Sequence, residues 1–293
     1  MDPEVRAAFE VDFGAATHQG HVRENNEDHY LVMEFGRSLN NLRTNLDKQV
    51  LEPSYASTGY GMFVADGIGS MAGGEVASRW ALSKLVELLA ETPDWIIKLE
   101  RREDLTTVLQ RVTQRFLEID ETLKENAKWD ITLRGMGTTL TVAFTLGSDL
   151  VIGHVGDSRA YLLRGGRLKQ LTIDHTLGQS LIDAGIAARD DPAPRSMRHV
   201  LTAALGSLGK RIEPQVQHLS VRPGDQLLLC TDGLTEMVED ETLAKALDEA
   251  QSAQVACDNL VNLALSAGGV DNITVVTHRF GALPSGAPSR LMS

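Results

Sequence analysis

VADGIGSMAGGE, residues 64–75, is the stretch on which the reading of this chain turns. An apolar, strand-like run from Met62 to Ala65 ends in an Asp-Gly step, and small residues follow before a helix begins. Asp-Gly after a strand usually makes only a turn, because both residues tolerate positive φ. The placement recurs, however. Asp157 in HVGDSR, Asp232 in LLLCTDG and Asp271 in GGVDNITVV stand near glycine at the border of an apolar run, and RENNED adds the acidic pair Glu27 and Asp28. Short carboxylates on rigid strand ends can converge on one point, and hard divalent cations such as Mg²⁺ and Mn²⁺ take oxygen ligands. A glycine after the aspartate lets a backbone carbonyl approach as a further ligand. A cluster of this kind repels itself unless cations neutralise it. One Asp-Gly reads as a turn; taken jointly, these placements point to a divalent-metal site.

Bulk composition narrows the partners. The chain has 293 residues, of which 42% are hydrophobic, enough for a substantial core. Its 40 acidic and 28 basic residues give a formal charge of −12, which repels phosphate backbones and anionic lipid, so neither nucleic acid nor a membrane is expected as a partner. The two cysteines, Cys230 and Cys257, sit in apolar runs without metal-type spacing and read as buried free thiols in a reducing compartment. The opening MDPEVRAAFEVDFG carries no apolar signal core, and no run is long enough to span a bilayer, so the protein is expected to be cytoplasmic.

Periodicity separates helices from strands. In EDLTTVLQRVTQRFLEIDETLKENAK the residues Leu105, Leu109, Val112, Phe116, Ile119 and Leu123 recur at three- and four-residue steps, which predicts one buried stripe on a solvated helix. GGEVASRWALSKLVELLAE places Ala77, Trp80, Ala81, Leu85 and Leu88 on one face, and residues 240–269 predict two shorter helices, the last stopped by Gly268 and Gly269. Between them lie the strand runs TTLTVAFTL, LVIGHVG, RAYLLR, LKQLT, DQLLLC and NITVVTHRF. GSD at 147–149 and GG at 165–166 join neighbours as hairpins, predicting antiparallel sheet with helices packed outside it. Residues 36–59 are polar and without a clean period, and read as a long excursion between two strands. Residues 174–212 combine a short helical pattern with a Pro-rich stretch, as in a flap, and residues 281–293 read as a disordered tail.

Read in order, GHVRENNED, FVADGIGSMAGGEVAS, GMGTTL, HVGDSRAYLLRGG, LTIDHT, LTAALG, LLLCTDGLTEMV and DNITVV resemble the successive motifs of the metal-dependent serine/threonine protein phosphatases, the PPM or type 2C family, and of its bacterial members in particular. The likeness runs from about Val11 to Phe280, nearly the whole chain. It implies an α+β fold, with a central antiparallel β-sandwich flanked by helices on both sides in four layers, and one catalytic domain over 1–280 bearing a small flap. The implied activity is hydrolysis of phosphoserine and phosphothreonine in proteins by a water or hydroxide bridging two metals, with two or three Mn²⁺ or Mg²⁺ ions as cofactors. Phosphorylated proteins are the implied substrates, and a cognate serine/threonine kinase is a candidate partner of a monomeric, signal-reversing enzyme. By the same resemblance Asp66 matches the bridging carboxylate, with the Gly67 carbonyl on one metal and Asp232 and Asp271 as further ligands. Glu27 and Asp28 match an acidic pair at the end of the first strand. Asp157, with Glu236 or Asp232, matches a third, weaker metal position, and Arg23 matches the arginine that grips the substrate phosphate, for which a forked guanidinium is well shaped.

The chain departs from the pattern in places. Ile68 stands where animal relatives often carry a histidine acid, leaving the leaving-group acid unassigned, and His175 in DHT either donates a proton there or anchors the flap. Ala203 replaces an arginine frequent in bacterial members. A phosphatase dedicated to one regulatory phosphoprotein and a catalytically weak phosphoprotein-binding module are the alternative readings. The complete carboxylate set speaks against loss of turnover.

Overall fold

Along each strand the side chains alternate between two faces, and that period of two sorts the core into layers. The computed structural model describes residues 9–40, 54–69, 73–91, 105–188, 191–207 and 211–282. Its strands are β1 (Glu10–His18), β2 (His29–Asn40), β3 (Ser54–Ala65), β4 (Gly67–Ile68), β5 (Gly137–Thr138), β6 (Leu140–Leu146), β7 (Asp149–Val155), β8 (Arg159–Arg164), β9 (Arg167–Gln170), β10 (Gln215–Ser220), β11 (Gln226–Cys230) and β12 (Ile273–Gly281). The helices are α1 (Gly73–Glu91), α2 (Leu105–Trp129), α3 (Leu177–Asp183), α4 (Pro192–Ser196), α5 (Asp232–Thr235), α6 (Asp240–Glu249) and α7 (Ala253–Ser266). One sheet runs β1-β12-β11-β8-β9 and the other β10-β7-β6-β3-β2, all pairs antiparallel.

The alternation is explicit in β3, where Met62 and Val64 face the opposite sheet and Phe63 and Ala65 face helices. In the second sheet Leu227 and Leu229 point into the sandwich while Leu228 and Cys230 point out to α6 and α7. Three apolar slabs result. α1 and α2 lie over Phe63, Val142 and Phe144 with Leu85, Phe116 and Ile119; the sheets meet through Val64, Ile152, Leu162, Leu229 and Val276; α6 and α7 bring Leu243, Leu247 and Leu260 onto Tyr161 and Val275. The four-layer arrangement implied by the resemblance is therefore present. The stripes read on the two long helices are the buried ones, with Trp80, Leu105 and Leu109 partly covered at their margins.

The hairpins also stand where the turn residues placed them. Gly147 (φ +56) turns β6 into β7, and Gly165 and Gly166 (φ +56 and +74) turn β8 into β9, conformations that a side chain would strain. Cys230 and Cys257 are free and buried, and burial pushes their thiols up to about 12 and about 11.

Two expectations are corrected. The irregular excursion does not occupy 36–59: β2 continues to Asn40 and β3 begins at Ser54, paired without a break from His29↔Ala65 to Asn40↔Ser54, so only 41–53 of that stretch lies outside the described residues. Backbone pairing carries this ribbon, and polar residues leave no apolar period to read. The pair Glu27 and Asp28 does not end the first strand; β1 stops at His18, and the pair leads directly into β2. Strands β1 and β10 escaped the propensity reading for a related reason: EVDFGAATH and QVQHLS are polar or small at most positions, and their pairing with β12 and β7 selects the extended form. The tail from 283 lies outside the described residues.

Leu229 is fully buried between the sheets, so Leu229→Ala should cost about 2–5 kcal/mol. Urea denaturation should show a lower midpoint with an unchanged slope.

Candidate metal centre

Antiparallel pairing brings the carboxylates together. The C-terminal ends of β3, β7 and β11 and the N-terminal ends of β2 and β12 lie at one end of the sandwich, because His29 pairs with Ala65 and Cys230 with Val275. Asp66 follows β3, Asp157 follows β7, Asp232 opens α5 after β11, Asp28 precedes β2 and Asp271 precedes β12. Asp66, Asp157 and Asp232 each present a carboxylate oxygen within 4.8 Å of the others.

This is an electrostatically demanding arrangement. Burial, and then the charges of Asp28, Asp232, Asp157 and Asp271, push the Asp66 carboxyl well above its ordinary range. Burial, then Asp157 and Asp271, do the same to Asp232. Burial first and Asp174 next raise Asp157 to about 7, and burial raises Asp28 to about 6. Asp28 Oδ2 accepts from Thr231 Oγ1 at 2.8 Å, yet Asp28 Oδ1 and Asp232 Oδ1 are buried without a hydrogen-bond partner in the described structure. Buried oxygens without donors, grouped with like charges, suit a hard divalent cation, and an all-oxygen donor set suits Mg²⁺ or Mn²⁺.

Backbone and hydroxyl groups hold the ligands in place. Asp66 N donates to Thr139 Oγ1 (3.0 Å), its carbonyl accepts from Thr139 N (2.9 Å) and Thr138 Oγ1 (2.8 Å), and Thr139 Oγ1 lies 2.8 Å from Ser158 Oγ beside Asp157. Ser78 Oγ donates to the Glu27 carbonyl (2.6 Å), and Gly67 N donates to the same carbonyl (3.2 Å). Asn272 Oδ1 accepts from Glu27 N (2.8 Å), while its Nδ2 donates to the Gln19 and Asn25 carbonyls, stitching the β1–β2 loop to the Asp271 turn. Sequence reading assigned none of these side chains a ligand-holding role, although Ser158, Thr231 and Asn272 directly adjoin site aspartates; Thr138 and Thr139 lie apart, in GMGTTL. The glycines serve close approach: a Cβ on Gly67 would strike the Gly74 carbonyl, and one on Gly74 would strike the Glu27 carboxylate.

The remaining candidates take peripheral positions. Arg23 Nη2 donates to Asp271 Oδ2 at 2.5 Å, and its side chain is 56% exposed, at the rim of the cluster. Glu236, one turn after Asp232, raises the carboxyls of Asp232 and Asp157 but pairs its own Oε1 with Arg198 Nε of the flap (3.2 Å). Glu27 is partly buried, and burial first among the causes raises its carboxyl. Ile68 pairs with Gly137 in the two-residue ladder β4–β5. His175 Nδ1 accepts from Gly156 N (3.2 Å), which ties the ring to the turn before Asp157 and leaves the proton of the neutral imidazole on Nε2.

The Protein phosphatase 2C family model matches residues 54–265, and the chain belongs to that family. The serine/threonine phosphatase stp of Listeria innocua is 35% identical over 260 residues, covering 89% of this chain and 92% of that protein. The crystal structure of the Mycobacterium tuberculosis serine/threonine phosphatase PstP/Ppp is 31% identical with a TM-score of 0.70, covering 92% of this chain and 99% of that one. A structure of the catalytic domain of the serine threonine protein phosphatase PstP in complex with two manganese ions is 32% identical with a TM-score of 0.70, covering 92% and 98%.

Because Asp157 holds its proton up to about 7 when folded but only to an ordinary 3.8 when unfolded, protonation stabilises the folded chain below about 4, and this contribution is lost as pH rises through about 7. In the presence of EDTA, Asp157→Asn should therefore gain stability over the parent progressively between those values. Saturating Mn²⁺ should reverse the order by stabilising the parent more. Melting curves of both proteins across that window test this, and a pH-independent difference would contradict it.

Proposed function

We propose, from its membership of the protein phosphatase 2C family, that this chain is a metal-dependent serine/threonine protein phosphatase whose metal centre is the carboxylate cluster at the end of the sandwich. The convergence of Asp66, Asp157 and Asp232 oxygens within 4.8 Å carries the reading, supported by the stp and PstP phosphatases that the chain resembles over nearly its full length. Phosphorylated proteins are its substrates.

Asp66, between the β3 end and the β4–β5 ladder, would hold the ions together with the Gly67 carbonyl, Asp232 and Asp271. Glu27 and Asp28, at the entry to β2, would complete the acidic set. Asp157, with Asp232 and Glu236, offers a further cation position. Two or three Mn²⁺ or Mg²⁺ ions, when bound, supply Lewis acidity and lower the pKa of coordinated water. The chain's own residues do the rest. The carboxylates fix the ions on rigid strand ends, Thr139 and Ser158 hold two of those ends together, and Arg23 presents a forked, half-exposed guanidinium to the phosphoryl oxygens. Asp271 orients that guanidinium by accepting from Nη2 and keeps it protonated, its hydrogen bond being the largest influence raising the arginine. Neither cysteine is a nucleophile, since burial holds both thiols protonated.

Finer points belong to the same proposal. A single catalytic domain spans 1–280 with 174–212 as its flap, and the enzyme acts as a cytoplasmic monomer that reverses the work of a cognate kinase. Two buried free thiols fit a reducing compartment.

Asp232→Asn should lower turnover on a phosphothreonine peptide by about two orders of magnitude or more while the protein stays folded, since charge neutralisation and water activation fail together. Wild-type turnover in that variant would overturn the assignment. Arg23→Ala should lose about 1.5–3 kcal/mol of kcat/KM, the usual worth of a charge-assisted hydrogen bond, yet retain the rise in melting temperature caused by Mn²⁺. Steady-state kinetics with a melting curve for each variant checks both.

A further inference from the structure

Two loops carry the Arg23–Asp271 pair: residues 19–28 join β1 to β2, and residues 267–272 join α7 to β12. Hydrogen bonds lock the loops together. His21 N donates to the Gly269 carbonyl (2.6 Å), and Asn272 Nδ2 donates to the carbonyls of Gln19 and Asn25 (both 2.8 Å). Gln19 Nε2 donates in turn to the Arg23 carbonyl (2.6 Å), which anchors the backbone of the arginine itself. The contact between the loops is too close for side chains: a Cβ on Gly20 would strike the Asp271 carbonyl, and one on Gly269 would stand 3.0 Å from His21 Cδ2.

Polar groups and glycines fix this backbone, yet each loop also leaves one valine in water. Val22 is 66% exposed and directly precedes Arg23; Val270 is 42% exposed and directly precedes Asp271. Single exposed valines are ordinary on a protein surface. These two hold matching positions beside the two members of one ion pair. The apolar surface continues past Val270, because the open position over Gly268 has Val270 Cγ1 (3.7 Å) and Met237 Sδ (3.8 Å) as its nearest neighbours. Arg23 is the only lysine or arginine in the two loops, which also hold Glu24, Glu27, Asp28 and Asp271, so a carboxylate brought here by another chain finds no cation besides Arg23 and several like charges.

We propose that Val22 and Val270, with Met237 beside them, form an apolar shelf that receives an aliphatic side chain next to the phosphorylated residue of the substrate, so that phosphothreonine flanked by aliphatic residues is preferred over phosphothreonine flanked by glycine or carboxylates. This deepens the phosphatase reading and rests on Arg23 as the phosphate grip. An extended chain advances only about 3.3–3.6 Å per residue, so a substrate whose phosphate meets Arg23 brings its flanking residues to the surface around that pair. Covering about 40–55 Å² of a leucine side chain there corresponds to about 5–10-fold in kcat/KM.

The test is steady-state kinetics of the full chain with Mn²⁺ on three phosphothreonine peptides that differ only in the residues on either side of the phosphothreonine: leucine, glycine or aspartate. In the parent, kcat/KM should be about 5–10-fold higher for the leucine peptide than for the glycine peptide, and lowest for the aspartate peptide. The double variant Val22→Ser, Val270→Ser should bring the leucine-to-glycine ratio close to 1, while Val22→Ile with Val270→Ile should keep it. Valines with a merely structural role predict that the serine variant loses activity on all three peptides by one factor and keeps the ratio; that result overturns the proposal, as does a parent ratio near 1. Arg23→Ala separates the premises. It should lower all three peptides together and preserve the ratio; if it changes none of them, the phosphate grip fails and the placing of the shelf fails with it. A parent that hydrolyses none of the peptides with Mn²⁺ refutes the phosphatase reading itself, whereas hydrolysis without preference refutes the shelf alone.

Discussion

Mutual repulsion among buried carboxylates is the constraint around which this molecule is arranged. Burial raises Asp28, Asp66, Asp157 and Asp232 above the ordinary carboxylate range, neighbouring carboxylates raise each of them further, and Asp28 and Asp232 each keep one oxygen without a donor. A chain free to relax would move these groups into water. Here they cannot move, because each sits at the border of a strand or short helix whose other residues are committed to the three apolar slabs. The hydrophobic energy of the sandwich thus maintains an electrostatic strain that a divalent cation relieves.

The strain is held by backbone geometry more than by side-chain pairing. Small groups dominate around the cluster: Gly67, Gly74 and Gly156 where a Cβ would collide, and Thr138, Thr139, Ser158 and Thr231 where a short hydroxyl reaches a carbonyl, amide, carboxylate or neighbouring hydroxyl. A two-residue ladder, β4–β5, would be marginal alone, yet it positions Gly67 because β3, α1 and the flap terminus all attach to it.

Charged pairs around the rim differ in kind from the cluster. Arg159–Asp174 is bidentate and largely enclosed, and it fixes the flap root. Arg23–Asp271 and Arg198–Glu236 are more open, with arginine side chains about half exposed, where water competes for the pair.

Much of this was legible in the amino-acid order. Helices α1, α2, α6 and α7 declared themselves through three- and four-residue apolar steps, and β6, β7, β8, β11 and β12 through apolar runs between turn glycines, because for these elements burial and local propensity agree. The aspartates were legible as a set since strand-end carboxylates beside glycine recur more often than turns require. Strand β1, the far ends of the β2–β3 ribbon and β10 were not legible, because their polar residues become strand only through backbone pairing with segments distant in sequence. Which carboxylates meet within 4.8 Å, that Arg23 lies on Asp271, and that His175 Nδ1 accepts a hydrogen bond from Gly156 N were decided by tertiary structure alone. A linear pattern records residue types and spacing, whereas convergence depends on strand register, and register is set only when two apolar faces close on each other.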